Sequence, residues 1–455
     1  MSTLAVIEPA TERVLAEVAR AGVDETDAAV ARAKAAFPGW RAVAPGDRAI
    51  LLRRVATALE HESAALAVLE ARNAGKPIGD ARGEIAMVVE TFNYYAGAPE
   101  RLTGETIPVS GGVDMTFHEP LGVCALITPW NFPLAIASWK VAPALAAGNT
   151  VVLKPAELTP LTSLELERIA LDAGIPEGVL NVVVGPGSVC GQRLVEHPDV
   201  AKVAFTGSTE VGARIAAAAA ASIKRVTLEL GGKSPNLIFA DADLERAAGA
   251  APAAVFGNAG QDCCARSRIL VERSVHEEFL RLLEPVITAI RVGDPLDAET
   301  TMGPLISAEQ RASVAAFVGD RAPVAIRGST PEGPGYWYPP TVLSPVDPAD
   351  RAAREEIFGP VACLIPFDSE HEAIRLANDT VYGLSGSIWT GDGGRALRVA
   401  RALEAGVISI NSNSSVRVTT PFGGFKQSGV GRELGPHALE HYSELKNVFY
   451  STEGG

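Results

Sequence analysis

The sequence predicts an α/β protein built on a parallel sheet with helices on both faces. Short apolar runs rich in Val, Ile and Leu recur from Gly122 onward, at Val123–Ile127, Thr150–Leu153, Leu180–Val184, Lys202–Phe205, Arg225–Leu230 and Asn236–Phe239. Helical patterns over Thr162–Ala173, Cys190–Glu196 and Glu210–Ala221 separate them. A second alternating set runs from about Val271 to Asn411. Continuous apolar strands alternating with helices mark strands covered on both sides.

The flanking segments have a different texture. Residues Asp24 to Glu70 carry apolar positions at spacings of three and four, which predicts helices, with Pro38 and Pro45 as breaks. Thr103 to Glu119 alternates and contains Gly111-Gly112, as an antiparallel hairpin does. Leu445 to Ser451 reads as one more strand, and Ser267 to Val271 as a strand just after a cysteine-bearing turn.

Bulk properties exclude several classes. The chain has 455 residues, enough for two or three domains. A formal net charge of −14, with no basic run of five, argues against nucleic acid as a partner. No basic-then-apolar start and no long uncharged apolar window occur, so neither a signal peptide nor a membrane span is expected. Five cysteines (Cys124, Cys190, Cys263, Cys264 and Cys363) are scattered without CxxC pairs. That spacing fits a reducing cytoplasm and predicts neither a disulfide scaffold nor a metal site.

The stretch Phe256-Gly-Asn-Ala-Gly-Gln-Asp-Cys263-Cys264-Ala-Arg266 places a thiol in a turn of small residues. A thiolate attacks carbonyls readily when its pKa falls below the free value of about 8.5. None of the seven histidines lies in a motif-like setting, so a carboxylate is the expected base. Glu229, in Leu228-Glu-Leu-Gly-Gly-Lys233, sits in an apolar strand running into two glycines. Apolar surroundings raise a carboxyl pKa toward the range of a general base. A strand-end Glu facing water is the other reading.

Asn131, in the turn Pro129-Trp-Asn-Phe-Pro133, can aim an amide N–H at a developing oxyanion or satisfy its own turn. Gly185-Pro-Gly-Ser-Val-Cys-Gly191 approximates a dinucleotide fingerprint with one residue too many, and a tight turn is its alternative. Phe205-Thr-Gly207-Ser208 lies at a strand-to-helix junction, where free N–H groups and the helix dipole attract phosphate; Ser208 is equally a helix N-cap. Lys154-Pro-Ala-Glu157 ends a strand, where α/β sheets bind ligands. Glu157 there can accept hydrogen bonds from ribose hydroxyls and repel a 2′-phosphate, favouring NAD over NADP; a surface ion pair is the alternative.

Together these segments resemble the aldehyde dehydrogenase superfamily over nearly the whole chain. The remaining landmarks are Glu356-Ile-Phe358-Gly-Pro360, Pro421-Phe-Gly-Gly424 and Gly429 to Glu433, all in the family's order. The resemblance implies Cys263 as nucleophile, Glu229 as base, and Asn131 with the Cys263 backbone N–H as oxyanion hole. It implies cofactor contacts from Lys154, Glu157, Gly207, Ser208, Trp130, Glu356 and Phe358. The implied fold has a Rossmann-type NAD-binding domain (1–102 and 121–231), an α/β catalytic domain (232–430) and a small β oligomerisation element (103–120 and 431–455).

The expected activity is oxidation of an aldehyde to a carboxylic acid through a cysteine thiohemiacetal and thioester, by a cytoplasmic dimer or tetramer. An amino-aldehyde or a broad range of aldehydes is the expected substrate. The alternatives are a carboxylate-bearing semialdehyde, for which Arg417 is a candidate receiver, and a CoA-acylating reaction, which needs no Glu229. Tyr94, Tyr95, Trp130 and Trp139 are candidate walls of the substrate site or core packing, and Asn411 to Thr420 a candidate specificity segment.

Overall fold

The structure, a computed structural model, describes residues 2–319, 322–414 and 416–452. An antiparallel hairpin, β1 (Thr3–Glu8) and β2 (Arg13–Ala19), precedes helices α1 (Val23–Ala42), α2 (Pro45–His61), α3 (Ser63–Ala74) and α4 (Ile78–Ala96). The hairpin β3 (Thr106–Val109) and β4 (Gly112–Pro120) follows. Strand and helix then alternate through β5 (Val123–Ile127), α5 (Pro133–Ala146), β6 (Thr150–Lys154), α6 (Leu161–Asp172), β7 (Leu180–Val182), α7 (Gln192–Glu196), β8 (Val200–Gly207), α8 (Thr209–Ala220) and β9 (Arg225–Leu230).

A second set begins four residues later with β10 (Pro235–Ile238), α9 (Leu244–Phe256), β11 (Arg268–Glu272), α10 (His276–Thr288) and α11 (Ala308–Val318). It continues with β12 (Val324–Arg327), β13 (Thr341–Leu343), α12 (Arg351–Arg354), β14 (Val361–Phe367), α13 (Glu370–Asn378), β15 (Ser385–Trp389), α14 (Gly393–Ala402) and β16 (Val407–Ile410). Strands β17 (Gly429–Val430) and β18 (Ser443–Ser451) end the order.

Two parallel sheets organise these elements. The first runs β17-β9-β8-β5-β6-β7, parallel except for β17. Its chain order reverses between β5 and β8, and such a switch point opens a crevice at the carboxyl ends of the strands. The second runs β12-β13-β14-β11-β10-β15-β16, parallel except for β12. The linker 231–234 joins the two sheets directly. Strands β18, β4 and β3 form a separate antiparallel sheet, with β18 on the hairpin as a third strand.

The expected strands are found within a residue or two of their predicted ends, because β5, β6 and β10 are buried along their whole length. Two local expectations change, while the break at Pro45 holds. Pro38 does not break α1, because buried Ala33 and Trp40 on either side of it pack into the core and carry the helix through. Pro45 occupies the first turn of α2, where a missing N–H removes nothing. The Gly187–Gly191 segment is a wide turn closed by Cys190 N–H to the Pro186 carbonyl (2.8 Å), and regular helix starts only at Gln192.

One core surrounds the second sheet and two more pack on the faces of the first. A small fourth cluster, Ile136, Trp139, Cys264, Leu384, Phe422 and Leu434, draws on both halves of the chain, and Cys263 packs against it. Among the described residues no helix is long and apolar enough to cross a membrane.

Candidate active site

The cysteine segment follows α9 as a strained loop. Asn258 and Ala259 both adopt left-handed backbone (φ 50° and 55°), which non-glycine residues hold only when their surroundings enforce it. A web of bonds does so. Asn258 Nδ2 donates to the carbonyls of Asn131 (3.0 Å) and Gln261 (3.2 Å), and Gln261 Nε2 donates to the Asn258 carbonyl (3.1 Å). Gln261 Oε1 accepts from Ile306 N (2.9 Å). Gly260 has φ +70°, and a Cβ there would stand 2.2 Å from the Gly359 carbonyl oxygen, so no side chain fits.

Asn131 is tied to this loop. Its Nδ2 donates to the Gln261 carbonyl (2.9 Å), which leaves the second amide hydrogen for another acceptor. Its own carbonyl accepts from Lys76 Nζ (2.9 Å), and Lys76 is held in turn by both oxygens of Glu84. The Asn131 turn leads into α5, whose first turn is capped by the buried Glu70 carboxylate accepting from Leu134 N (3.2 Å). Neither Lys76 nor Glu70 belongs to a recognisable motif, so sequence reading missed both.

Cys263 lies half-buried in a turn closed by Ala265 N–H to the Asp262 carbonyl (3.0 Å). A Cβ on Gly232 would come 2.3 Å from the Cys263 carbonyl oxygen, so the linker between the sheets presses directly on the Cys263 backbone. The Cys263 thiol has a raised pKa. Its hydrogen bond with Cys264, its burial and the Glu229 carboxylate all push it well above the ordinary value. The thiol therefore rests protonated and needs a base at hand.

Glu229 supplies a carboxylate there. It is 2% exposed, neither of its oxygens has a hydrogen-bond partner among the described residues, and it stands close enough to Cys263 for the thiol to ease its charge. Burial first, then the Glu433 carboxylate, pushes it up to about 8, against the opposing pull of Lys140. Lys140 and Glu433 form a buried ion pair behind it. Lys140 is the one charged residue in the otherwise apolar helix α5, a signal that sequence reading passed over.

Glu356 joins the same junction by accepting from Gly232 N (3.0 Å), and burial pushes it up to about 7. A Cβ on Gly231 would meet its carboxylate at 2.3 Å. Phe358 stacks edge-on against Trp130 (5.2 Å), joining the turn after β5 to the segment before β14. Lys154, at the end of β6, is buried with its pKa lowered by desolvation, and it donates to the Pro155 carbonyl. Glu157 pairs with Arg20 (3.0 Å), a partner the sequence did not indicate. Exposed Ser208 caps α8 by accepting from Val211 N (3.4 Å), directly after Gly207.

Lys154, Trp130 and Ser208 follow β6, β5 and β8, three adjoining strands whose carboxyl ends border the switch-point crevice. Thr128 and Thr206, buried at the ends of β5 and β8, have hydroxyls without partners among the described residues. Open hydroxyls, helix α8's first turn and a buried lysine are a donor set that fits a dinucleotide.

A cavity of about 660 Å³ opens beside the cysteine turn, lined by Glu84, Met87, Phe132, Phe256, Asn258 and Asp262 among others. Of the four aromatics expected at the substrate wall, Trp139 packs with Phe422 (5.4 Å) in the cluster touching Cys263, a pairing worth about 0.5–1.5 kcal/mol. Trp130 belongs to the Phe358 contact. Tyr95 is core, its hydroxyl donating to the Gly435 carbonyl (2.9 Å), and Tyr94 packs edge-on against it. Val416 packs on the Cys263 cluster; Ser415 of the same segment lies outside the described residues.

Comparisons with known proteins identify the family. The sequence profile of the aldehyde dehydrogenase family matches residues 1–448. The chain is 44% identical to an aldehyde dehydrogenase of Emericella nidulans over 455 residues, 98% of this chain and 92% of that protein. It is 42% identical to a betaine aldehyde dehydrogenase of Bacillus subtilis over 460 residues, 98% of this chain and 94% of that protein. The NAD+ complex of an aldehyde dehydrogenase from Bacillus cereus superposes with a TM-score of 0.97 at 43% identity, covering 99% of this chain and 94% of that one. The chain belongs to the aldehyde dehydrogenase family, oxidoreductases that act on aldehydes.

Proposed function

We propose that the protein oxidises an amino-aldehyde to the carboxylic acid with NAD, by the hydrolytic route through a thioester on Cys263. The observation that carries this reading is the convergence of Cys263, Glu229 and Asn131 where the two sheets meet. Glu229 takes the proton from the Cys263 thiol, and Sγ bonds to the aldehyde carbon. The carbonyl oxygen becomes an oxyanion held by the free Asn131 amide hydrogen and the Cys263 backbone N–H. When bound, NAD supplies a hydride acceptor. Loss of hydride from the carbon leaves a thioester. Glu229, once it has passed the thiol proton to solvent, deprotonates a water, which adds to the thioester carbon; the C–S bond breaks, and the acid loses its proton to leave the carboxylate and the Cys263 thiolate.

Lys154 and Glu157 would hold the adenosine ribose, Gly207 and Ser208 the pyrophosphate, and Trp130, Glu356 and Phe358 the nicotinamide end. The domain division stated above (1–102 with 121–231, 232–430, and 103–120 with 431–455) is part of this proposal. So is self-association as a dimer or tetramer through the β3-β4-β18 sheet, which exposes Phe117, Leu445, Phe449 and Tyr450. Five unpaired cysteines support a cytoplasmic setting.

The cavity supports a cationic substrate. Burial raises Asp262 and pushes Glu84 up to about 8 even with Lys76 Nζ on both Glu84 oxygens, so a deficit of positive charge remains. A cationic group among them and the aromatic rings would relieve that deficit. A carboxylate-bearing semialdehyde would add to it. The test is NADH formation with NAD or NADP, without CoA, on aliphatic, aromatic, quaternary-ammonium and carboxylate-bearing aldehydes. Highest kcat/KM for the cationic aldehyde with NAD is expected. Turnover only after CoA is added would overturn the role of Glu229, and preference for the carboxylate-bearing aldehyde would overturn the substrate class.

A further inference from the structure

The turn that carries the nucleophile carries a second thiol and a carboxylate. Asp262 opens it, Cys263 and Cys264 occupy its two central positions, and Ala265 closes it. Adjacent side chains on so tight a turn cannot diverge as they would on a strand. Asp262 folds back over the turn, its Oδ1 accepting from Cys264 N at 2.8 Å. In consequence one Asp262 oxygen and both sulfurs lie within 4.8 Å of one another. The Glu229 carboxylate adds negative charge beside Cys263.

We propose that Asp262, Cys263 and Cys264 chelate a soft divalent cation of the zinc and cadmium kind, and that this occupancy switches the enzyme off. This is a site for an inhibitor and not for a resident cofactor, and its effect on turnover rests on the nucleophilic role given to Cys263. Two thiolates and a carboxylate are the ligand set that such ions prefer, with water completing the tetrahedron. A tetrahedral zinc with Zn–S near 2.3 Å requires ligand atoms ~3.8 Å apart, so the present spacing closes with a movement of about 1 Å. The binding step is balanced without oxidant or reductant: two S–H bonds give two metal–sulfur bonds and two protons pass to the solvent. Arg266 opposes it only in part, since its guanidinium is directed at Ser385, Ser387 and the Cys264 carbonyl. The other cysteines sit apart from this turn; Cys190 and Cys363 point their thiols at the Ala21 and Ala352 carbonyls.

Cadmium chloride titrated into the reduced, full-length protein tests the proposal through the ultraviolet charge-transfer absorbance of cadmium thiolates. We expect one cadmium per chain with the absorbance of two thiolates, parallel loss of NADH formation, and recovery of both on adding EDTA. Cys264→Ala should bind cadmium at least about tenfold more weakly, an affinity read from the absorbance and so independent of any change in its metal-free turnover. Cys264→Ser, which keeps the buried volume, serves if the alanine variant misfolds. Equal cadmium affinity in the wild type and a folded Cys264 variant would overturn the proposal, as would absence of thiolate absorbance at equimolar cadmium. The absorbance needs no aldehyde or NAD, so failure of the catalytic reading would show instead as a metal-free wild type without turnover.

Discussion

Lys140 and Glu433 meet as an ion pair inside the core, 293 residues apart in the chain, and Glu433 also bears on Glu229. Lys140 has no exposed surface and the second Glu433 oxygen has no partner among the described residues. The pair therefore sets the charge behind the base. Glu433→Gln removes the like charge and leaves Lys140 facing Glu229, so the acidic limb of the pH–rate profile should move to lower pH. Lys140→Met should move it to higher pH and destabilise the fold by about 3–5 kcal/mol, because it strands a buried carboxylate. Profiles of kcat/KM for NADH formation decide the direction of each shift.

Glu229 makes a further pH dependence. Its folded pKa of about 8 lies above the unfolded value, so between about 4.5 and 8 the native state holds more protons than the unfolded state. Stability must then fall as pH rises through that window, while the base fraction needed for catalysis grows. Glu229→Gln should raise the melting temperature at pH 8 by at least about 2 °C and lower steady-state turnover by about 100-fold or more. Stopped-flow recording should show no burst ahead of the steady state, since thiol activation and thioester hydrolysis both lose their base.

Cys263→Ala should leave the fold and NAD binding intact and remove NADH formation, to below about 0.1% of wild type. Cofactor binding by calorimetry, alongside the turnover assay, separates loss of the nucleophile from loss of structure.

Much of this was legible because buried parallel strands leave an unmistakable trace: β5 is apolar throughout, and β6 at every position between Thr150 and Lys154. The motif residues could also be named, since Cys263, Glu229 and Asn131 stand in short glycine- or proline-bounded segments. What escaped were relations across the chain. Nothing near Asn131 announces that Lys76 holds its carbonyl, and nothing near Glu157 announces Arg20. The thiol's raised pKa depends on Glu229 and Cys264 arriving together in three dimensions, which no local pattern encodes. The β1–β2 hairpin was overlooked because all but one of its side chains are exposed or half-buried and its apolar alternation is weak.

The Arg20–Glu157 pair bears on cofactor choice. Glu157→Gln removes the charge that opposes a 2′-phosphate and frees Arg20 to attract one. The ratio of kcat/KM for NADP over NAD should rise by about tenfold, equivalent to ~1.4 kcal/mol. An unchanged ratio would show that Glu157 does not face the ribose.

Gly260→Ala offers a structural control. Left-handed backbone and a Cβ 2.2 Å from the Gly359 oxygen should together destabilise the protein by more than about 2 kcal/mol, read as a lowered melting temperature.

The late position of Gly429 and Glu433 has a consequence for the newborn chain. Gly429 pairs with Glu229 across β17 and β9, and Glu433 answers Lys140. Translation delivers the thiol and its base long before the segment that roofs them, and the earlier part of the chain begins folding first. Until residues 421–433 emerge, Glu229 lacks the β17 pairing and the Glu433 carboxylate that raises it. A chain stalled or clipped before that segment carries Cys263, Glu229 and Asn131 without all the surroundings they have in the folded protein.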